Sequence, residues 1–325
     1  MRNKTILAIV GCCLLSTTFF TQKEIAPEVN FYDVTFLRNS PAVEKVLKET
    51  HGFVEVNYET KDNFTINSIM LDKSNKCNVK ATVISCPGFV PGRKEGMATL
   101  YAMLEKKPYN FIFIDSRGHG KSDGELLTFN GIKHYGESQY LDMVATIQYI
   151  AHYNKKHNIS PDIIIHGLCS GALHTVKAVA HLKEHDTETY NCIKGIILDS
   201  GWPSISDIVE TIIDSESISR CKTYNLPFLQ PLVARLTMAT YNTYFKEQHK
   251  TQRPITEIIN NIDQPIFFIH AENDSFVPIH NVYPLIATAK NPTSWFIKES
   301  SHVNNHLKYK EEYAYHMEQF IQSAL

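Results

Sequence analysis

Hydrophobic residues along this chain fall into short blocks separated by polar segments rich in glycine and proline, and the length and period of each block predict its element. Over residues 52–72 polar and apolar positions alternate on either side of Thr60-Lys61-Asp62-Asn63, the pattern of a β-hairpin. Residues 79–85, 109–114, 162–166, 193–199, 265–270 and 294–297 are near-continuous apolar runs, as in strands buried on both faces. Helical patterns lie between or after them at about 94–106, 136–154, 172–180 and 311–322, with a mostly helical stretch over about 203–260. Strands alternating with helices predict an α/β fold with a mainly parallel, doubly wound sheet, into which the 203–260 segment is inserted. No internal repeat, low-complexity tract or long linker interrupts this order.

The N-terminus breaks the pattern. Arg2 and Lys4 precede an uncharged, mainly apolar run over residues 5–20, the layout of a secretory leader or short membrane anchor, although shorter than the roughly 18 residues of a spanning helix. Residues 1–22 are accordingly predicted to be a signal peptide or anchor, 23–51 an N-terminal extension, and 52–325 the folded domain. The expected location is exported or membrane-associated through the N-terminus, with the cytoplasm as the alternative.

With 325 residues, 43% of them apolar and 20% charged, the chain can bury a large core as one domain plus an insertion. A net charge of -2 with scattered basic residues excludes an electrostatic case for nucleic acid. Of seven cysteines, Cys12 and Cys13 belong to the leader, and the spacing of Cys77, Cys86, Cys169, Cys192 and Cys221 fits neither a dense disulfide framework nor a zinc site. No cofactor or metal is expected.

The chemistry concentrates in Gly167-Leu168-Cys169-Ser170-Gly171, between a predicted strand and a small-residue helix. A residue at the centre of such a pinched turn is forced into a strained conformation, and only glycines two positions either side leave it room. Centring on Ser170 would place Leu168 where the helix crosses the strand, so Cys169 is the better nucleophile. The pattern is similar to the nucleophile elbow of the α/β-hydrolases. Two further motifs agree: Asp115-Ser116-Arg117-Gly118-His119-Gly120-Lys121-Ser122 is similar to the D-x-R-G-x-G-x-S loop, and His270-Ala271-Glu272-Asn273-Asp274-Ser275-Phe276-Val277-Pro278 resembles the H-G-x-x-D-x-x-V-P signature, of the group that includes the serine aminopeptidases and their esterase-like relatives. The resemblance runs from about residue 52 to the C-terminus.

That resemblance implies an α/β-hydrolase fold with a helical cap at about 203–260 and a chain order of nucleophile, acid and histidine. Cys169, Asp274 and His302 follow this order, with His306 the rival base. Glu272 is expected to point elsewhere, and Arg117, His119 and Ser122 to act as loop scaffolding. The backbone N–H groups of Ser170, at a helix N-terminus, and of Phe89, in Pro87-Gly88-Phe89, are the candidate oxyanion donors. Pro87 departs from the histidine of the family's turn.

The implied activity is hydrolysis of an ester, thioester or related acyl bond through a Cys-His-Asp triad and an acyl-enzyme, on a small-molecule acyl substrate. A thiol beside an imidazole at a helix N-terminus ionises readily, so a resting thiolate-imidazolium pair is expected. Cysteine elbows occur in enzymes resembling dienelactone hydrolase and in polyhydroxyalkanoate synthases. The alternatives are therefore an acyltransferase or synthase using an acyl-thioester, or an inactive binding protein of this fold. Trp202, Tyr224, Phe228, Tyr241, Tyr244 and Phe245 are candidates either for an acyl pocket or for the insert's own core.

Overall fold

A computed structural model describes Phe31 and residues 40–89, 92–126, 128–223 and 226–325, without the side chains of 215–220, 222 and 223. Residues 1–22, expected to be a signal peptide or anchor, and Tyr224 lie outside the described residues. Among those described, no helix is long and apolar enough to cross a membrane.

Eight strands, β1 (Val54–Glu59), β2 (Thr65–Leu71), β3 (Ala81–Cys86), β4 (Tyr109–Ile114), β5 (Ile163–Leu168), β6 (Ile193–Asp199), β7 (Ile266–Ala271) and β8 (Pro292–Ile297), form one sheet in the order β1-β2-β4-β3-β5-β6-β7-β8. β1 and β2 are an antiparallel hairpin, and β2 also runs antiparallel to β4. From β4 across to β8 every neighbouring pair is parallel. The parallel strands therefore end on a common edge, where ligand and catalytic groups gather in open α/β sheets.

The apolar runs are continuous because both faces of the sheet are covered, yet successive residues still serve different cores. Val83, Phe111, Phe113, Ile164 and Ile197 pack beneath the helices Ser40–Glu49, Ala98–Leu104 and Lys310–Ala324. Ile84, Ile112, Ile165 and Ile196 face the helices Tyr140–Lys156 and Ser170–His185 through Met143, Ile147, Val176 and Val179. Each fully buried aliphatic side chain contributes about 1.5–3 kcal/mol. The helix Ser40–Glu49 lies in the stretch read only as an extension; Val43, Val46 and Leu47 place its apolar stripe against the first core.

Two helices begin differently from the sequence pattern. The stretch starting at Lys94 is a 3-10 turn to Met97 before the helix Ala98–Leu104, because both the backbone N–H and Nζ of Lys94 bind Asp115. The next long helix starts at Tyr140, after a turn in which Gly136 takes a left-handed φ of 88° and donates its N–H to Gln139 Oε1.

Between β6 and β7 the chain forms helices Ile205–Thr223, Gln230–Tyr244 and Lys246–Lys250. Ile213, Ala234, Tyr241 and Phe245 make a small core there, joined by Phe129 and Ile132 from the helix Phe129–Lys133. Tyr241 and Phe245 thus serve the insert's own packing. Phe228 and Tyr244 are exposed, and Trp202 is buried just past the end of β6.

Candidate active site

The turn after β5 is shaped by its glycines. Cys169 has φ 56° and ψ -121°, a left-handed conformation that costs a non-glycine residue about 1–3 kcal/mol and persists only where the surroundings enforce it. Its N–H donates to the carbonyl of Asp199 at the end of β6, 2.7 Å away, and its carbonyl accepts from Ala172 N–H at 3.0 Å. A Cβ on Gly171 would stand 2.3 Å from the Cys86 carbonyl oxygen, and one on Gly167 2.7 Å from the Gly171 carbonyl oxygen. These are backbone atoms and cannot yield. The glycines therefore let the helix Ser170–His185 pass directly under the ends of β3 and β5, which lifts Cys169 out of the sheet.

Asp274 stands in the loop after β7. Its Oδ1 accepts from the N–H groups of Phe276 (2.9 Å) and Val277 (2.8 Å), so the carboxylate is fixed before any partner arrives. His270, buried on β7, bonds the Val277 carbonyl at 2.8 Å and holds the same loop. Oδ2 of Asp274 accepts from His302 Nδ1 at 2.7 Å, and His302 Nε2 lies 3.2 Å from Cys169 Sγ. The imidazole stacks on Phe276 with ring centroids 4.6 Å apart. Burial opposes its charge, but the charge on Cys169 and the hydrogen bond to Asp274 outweigh burial and push its pKa up to about 10.

The structure brings Cys169, His302 and Asp274 together as one hydrogen-bonded chain. His306 turns edge-on to Tyr313 and borders a small cavity with His166 and Leu168, where burial lowers its pKa. Glu272 is exposed.

The Pro87–Phe89 turn lies against the elbow: a Cβ on Gly88 would be 2.9 Å from Cys169 Cβ and 3.2 Å from its Sγ. Phe89 follows immediately, and its carbonyl is held by Nε2 of the buried His119 at 2.5 Å. Ser170, the first residue of the elbow helix, is also buried.

The loop from Asp115 to Ser122 is built as scaffold. Arg117 pairs with Asp142 (2.7 Å) and Asp62 (2.6 Å), while Ser122 Oγ donates to the Asp115 carbonyl and accepts from Asn67 N–H. The fully buried Asp115 forms an ion pair with the equally buried Lys94, Nζ to Oδ2 at 2.5 Å, and also accepts from Lys121 N–H. This pair anchors the chain just past the Pro87–Phe89 turn.

Two groups escaped the sequence reading. Tyr135 packs edge-on against Phe89 at 4.6 Å and hydrogen-bonds His174 at 3.2 Å. Behind the elbow, buried Asp199 accepts from Tyr313 (2.8 Å), Asn305 (3.0 Å) and Ser200 (2.8 Å), with His166 3.1 Å from the same tyrosine hydroxyl. An aspartate ending an apolar strand was the available signal for the second group; Tyr135 had none. Among the described residues no set of three His, Cys, Asp or Glu side chains is arranged to hold a metal.

No family model matches the chain. An uncharacterized Bacillus subtilis protein, YqkD, is 23% identical over 244 residues, covering 74% of this chain and 70% of that protein. The Pyrococcus furiosus esterase Pf2001 superposes with a TM-score of 0.63 at 19% identity, covering 95% of this chain and 99% of the esterase. The α/β-hydrolase GrgF from a Penicillium species gives 0.60 at 15% identity, over 84% of this chain and 98% of its own. With the mostly parallel eight-stranded sheet and the turn at Cys169, these likenesses identify the α/β-hydrolase fold.

Proposed function

We propose that this chain is a hydrolase that cleaves an ester or thioester through a covalent acyl-enzyme on Cys169. The observation that carries the reading is the continuous contact from Asp274 Oδ2 through His302 to Cys169 Sγ, 2.7 Å and 3.2 Å, at a residue held in a strained turn. The esterase named among the structural likenesses supports it.

In this mechanism Sγ attacks the acyl carbonyl carbon and the carbonyl π electrons move onto oxygen. The N–H groups of Ser170 and Phe89 stabilise that oxyanion, which such preorganised donors do best in a site shielded from water. His302, charged and steadied by Asp274, gives its Nε2 proton to the departing alcohol or thiol as the carbon-leaving-group bond breaks. The neutral imidazole then takes a proton from water, whose oxygen attacks the thioester. Collapse of the second intermediate releases the acid and returns the electron pair to sulfur.

Hydrolysis of p-nitrophenyl acyl esters of graded chain length tests the proposal. Cys169→Ala should abolish turnover while circular dichroism shows the fold intact, and intact-mass analysis of the parent should show an acyl adduct on the peptide carrying Cys169. Parental turnover in the alanine variant would exclude the mechanism.

A further inference from the structure

The insert between β6 and β7 turns an apolar stripe to solvent. A single 3-10 turn, Pro227–Leu229, runs into the helix Gln230–Tyr244, and Phe228, Leu232 and Leu236 recur every four residues along it. They are 73%, 54% and 49% exposed, and Leu226 and Tyr244 extend the exposed apolar surface at either end. The opposite side of the same helix already packs Ala234 and Tyr241 into the insert's small core. None of the three stripe residues belongs to a core, so the fold does not use them; a solvent-facing helix surface is ordinarily polar.

The charge of the sequence that carries the stripe is equally uneven. Residues 219–250 carry Arg220, Lys222, Arg235, Lys246 and Lys250 against the single acid Glu247, in a chain whose net charge is -2. The acids of the preceding helix, Asp207, Glu210, Asp214 and Glu216, all come before this window. Helix Gln230–Tyr244 has no acidic residue, and Arg235 is exposed beside Leu236. An apolar face with large side chains and a cationic flank is the composition of helices that lie in the plane of an anionic membrane, where apolar insertion and attraction to headgroups add.

We propose that this face docks on an anionic lipid surface, with Phe228, Leu232 and Leu236 entering the acyl boundary and Arg235 and Lys246 meeting the headgroup phosphates. The docking rests on exposure and charge, and is independent of the reaction proposed above.

Co-sedimentation of the full chain with vesicles tests it, using phosphatidylcholine alone and phosphatidylcholine mixed with phosphatidylglycerol. The triple variant Phe228→Ser, Leu232→Ser, Leu236→Ser should lower partition onto the mixed vesicles by about tenfold or more, the loss that accompanies about 1.4 kcal/mol of insertion energy. Arg235→Glu should weaken binding to the mixed vesicles only, and added salt should narrow its difference from the parent. Both variants retain the N-terminal leader, so binding by the leader alone would leave parent and variants equal and overturn the proposal. Sedimentation without lipid supplies a second refutation: a parental dimer that becomes monomeric in the triple variant would assign the stripe to a second copy of the chain. Unchanged thermal unfolding checks that the variants fold, and Arg235→Glu keeps the test decisive if the triple variant does not.

Discussion

Replacing Asp274 by asparagine separates charge from shape at the candidate triad. The Asp274 Oδ1 is held by two backbone donors, Phe276 and Val277, at 2.9 and 2.8 Å, and Oδ2 faces His302 Nδ1. An asparagine keeps one oxygen, and the two donors hold it at the Oδ1 position. Turning the amide over would leave both N–H groups facing an NH2, at about 1–3 kcal/mol for each unpaired buried donor. The NH2 therefore meets His302 Nδ1, which can accept its hydrogen bond only by giving up its own proton. The doubly protonated imidazole then has a donor pressed against a donor and loses the support of the Asp274 charge. Triad variants of this type lose up to about four orders of magnitude in kcat, so roughly two to four orders, about 3–5 kcal/mol, are expected.

The pH dependence has a definite sign. In the parent the His302 pKa is raised to about 10, so the stability contributed by its charged form is complete below the unfolded value of about 6.5 and is lost as pH rises through about 10. Asp274→Asn should bring that loss toward neutral pH. Ester hydrolysis and thermal unfolding measured from about pH 6 to about pH 10 report both effects, with circular dichroism confirming the fold. Parental kcat together with an unmoved alkaline limit of stability would refute the assigned role of Asp274.

Two further substitutions probe the architecture around Cys169. Gly171→Ala drives a methyl group to within 2.3 Å of the Cys86 carbonyl, so the elbow helix and the turn after β3 must separate; a destabilisation of about 1–3 kcal/mol in urea unfolding and a lower kcat are expected, and parental stability would show that the crossing can relax. His119→Ala frees the Phe89 carbonyl and should lower kcat by about tenfold, near 1.4 kcal/mol, with little change in KM, whereas His119→Gln, which restores an N–H donor, should recover most of the rate; equal defects in both variants would mean that the ring's packing matters and its hydrogen bond does not.

Much of this molecule is legible in one dimension because its signals are local. Apolar runs such as 109–114 and 193–199 mark buried strands through composition and length alone, and the glycines at 167 and 171 mark a turn that few sequences can form. Cys169, Asp274 and His302 were readable as candidates because each closes a strand or the loop after one, in an order that the resemblance supplied. The choice between His302 and His306 was different in kind, since only three residues separate them and the folded position of Phe276 and Asp274 decides which imidazole reaches sulfur. The strand order, with β4 between β2 and β3, the buried pairing of Lys94 with Asp115, the hydroxyls gathered on Asp199, and the exposure of Phe228 also came only with the tertiary structure. Each joins or faces groups far apart along the chain, and their proximity is set by how two covered sheet faces close around the core. Periodicity carries the conformation of a segment, whereas the partner of a buried charge or the environment of an apolar stripe depends on every element that packs beside it.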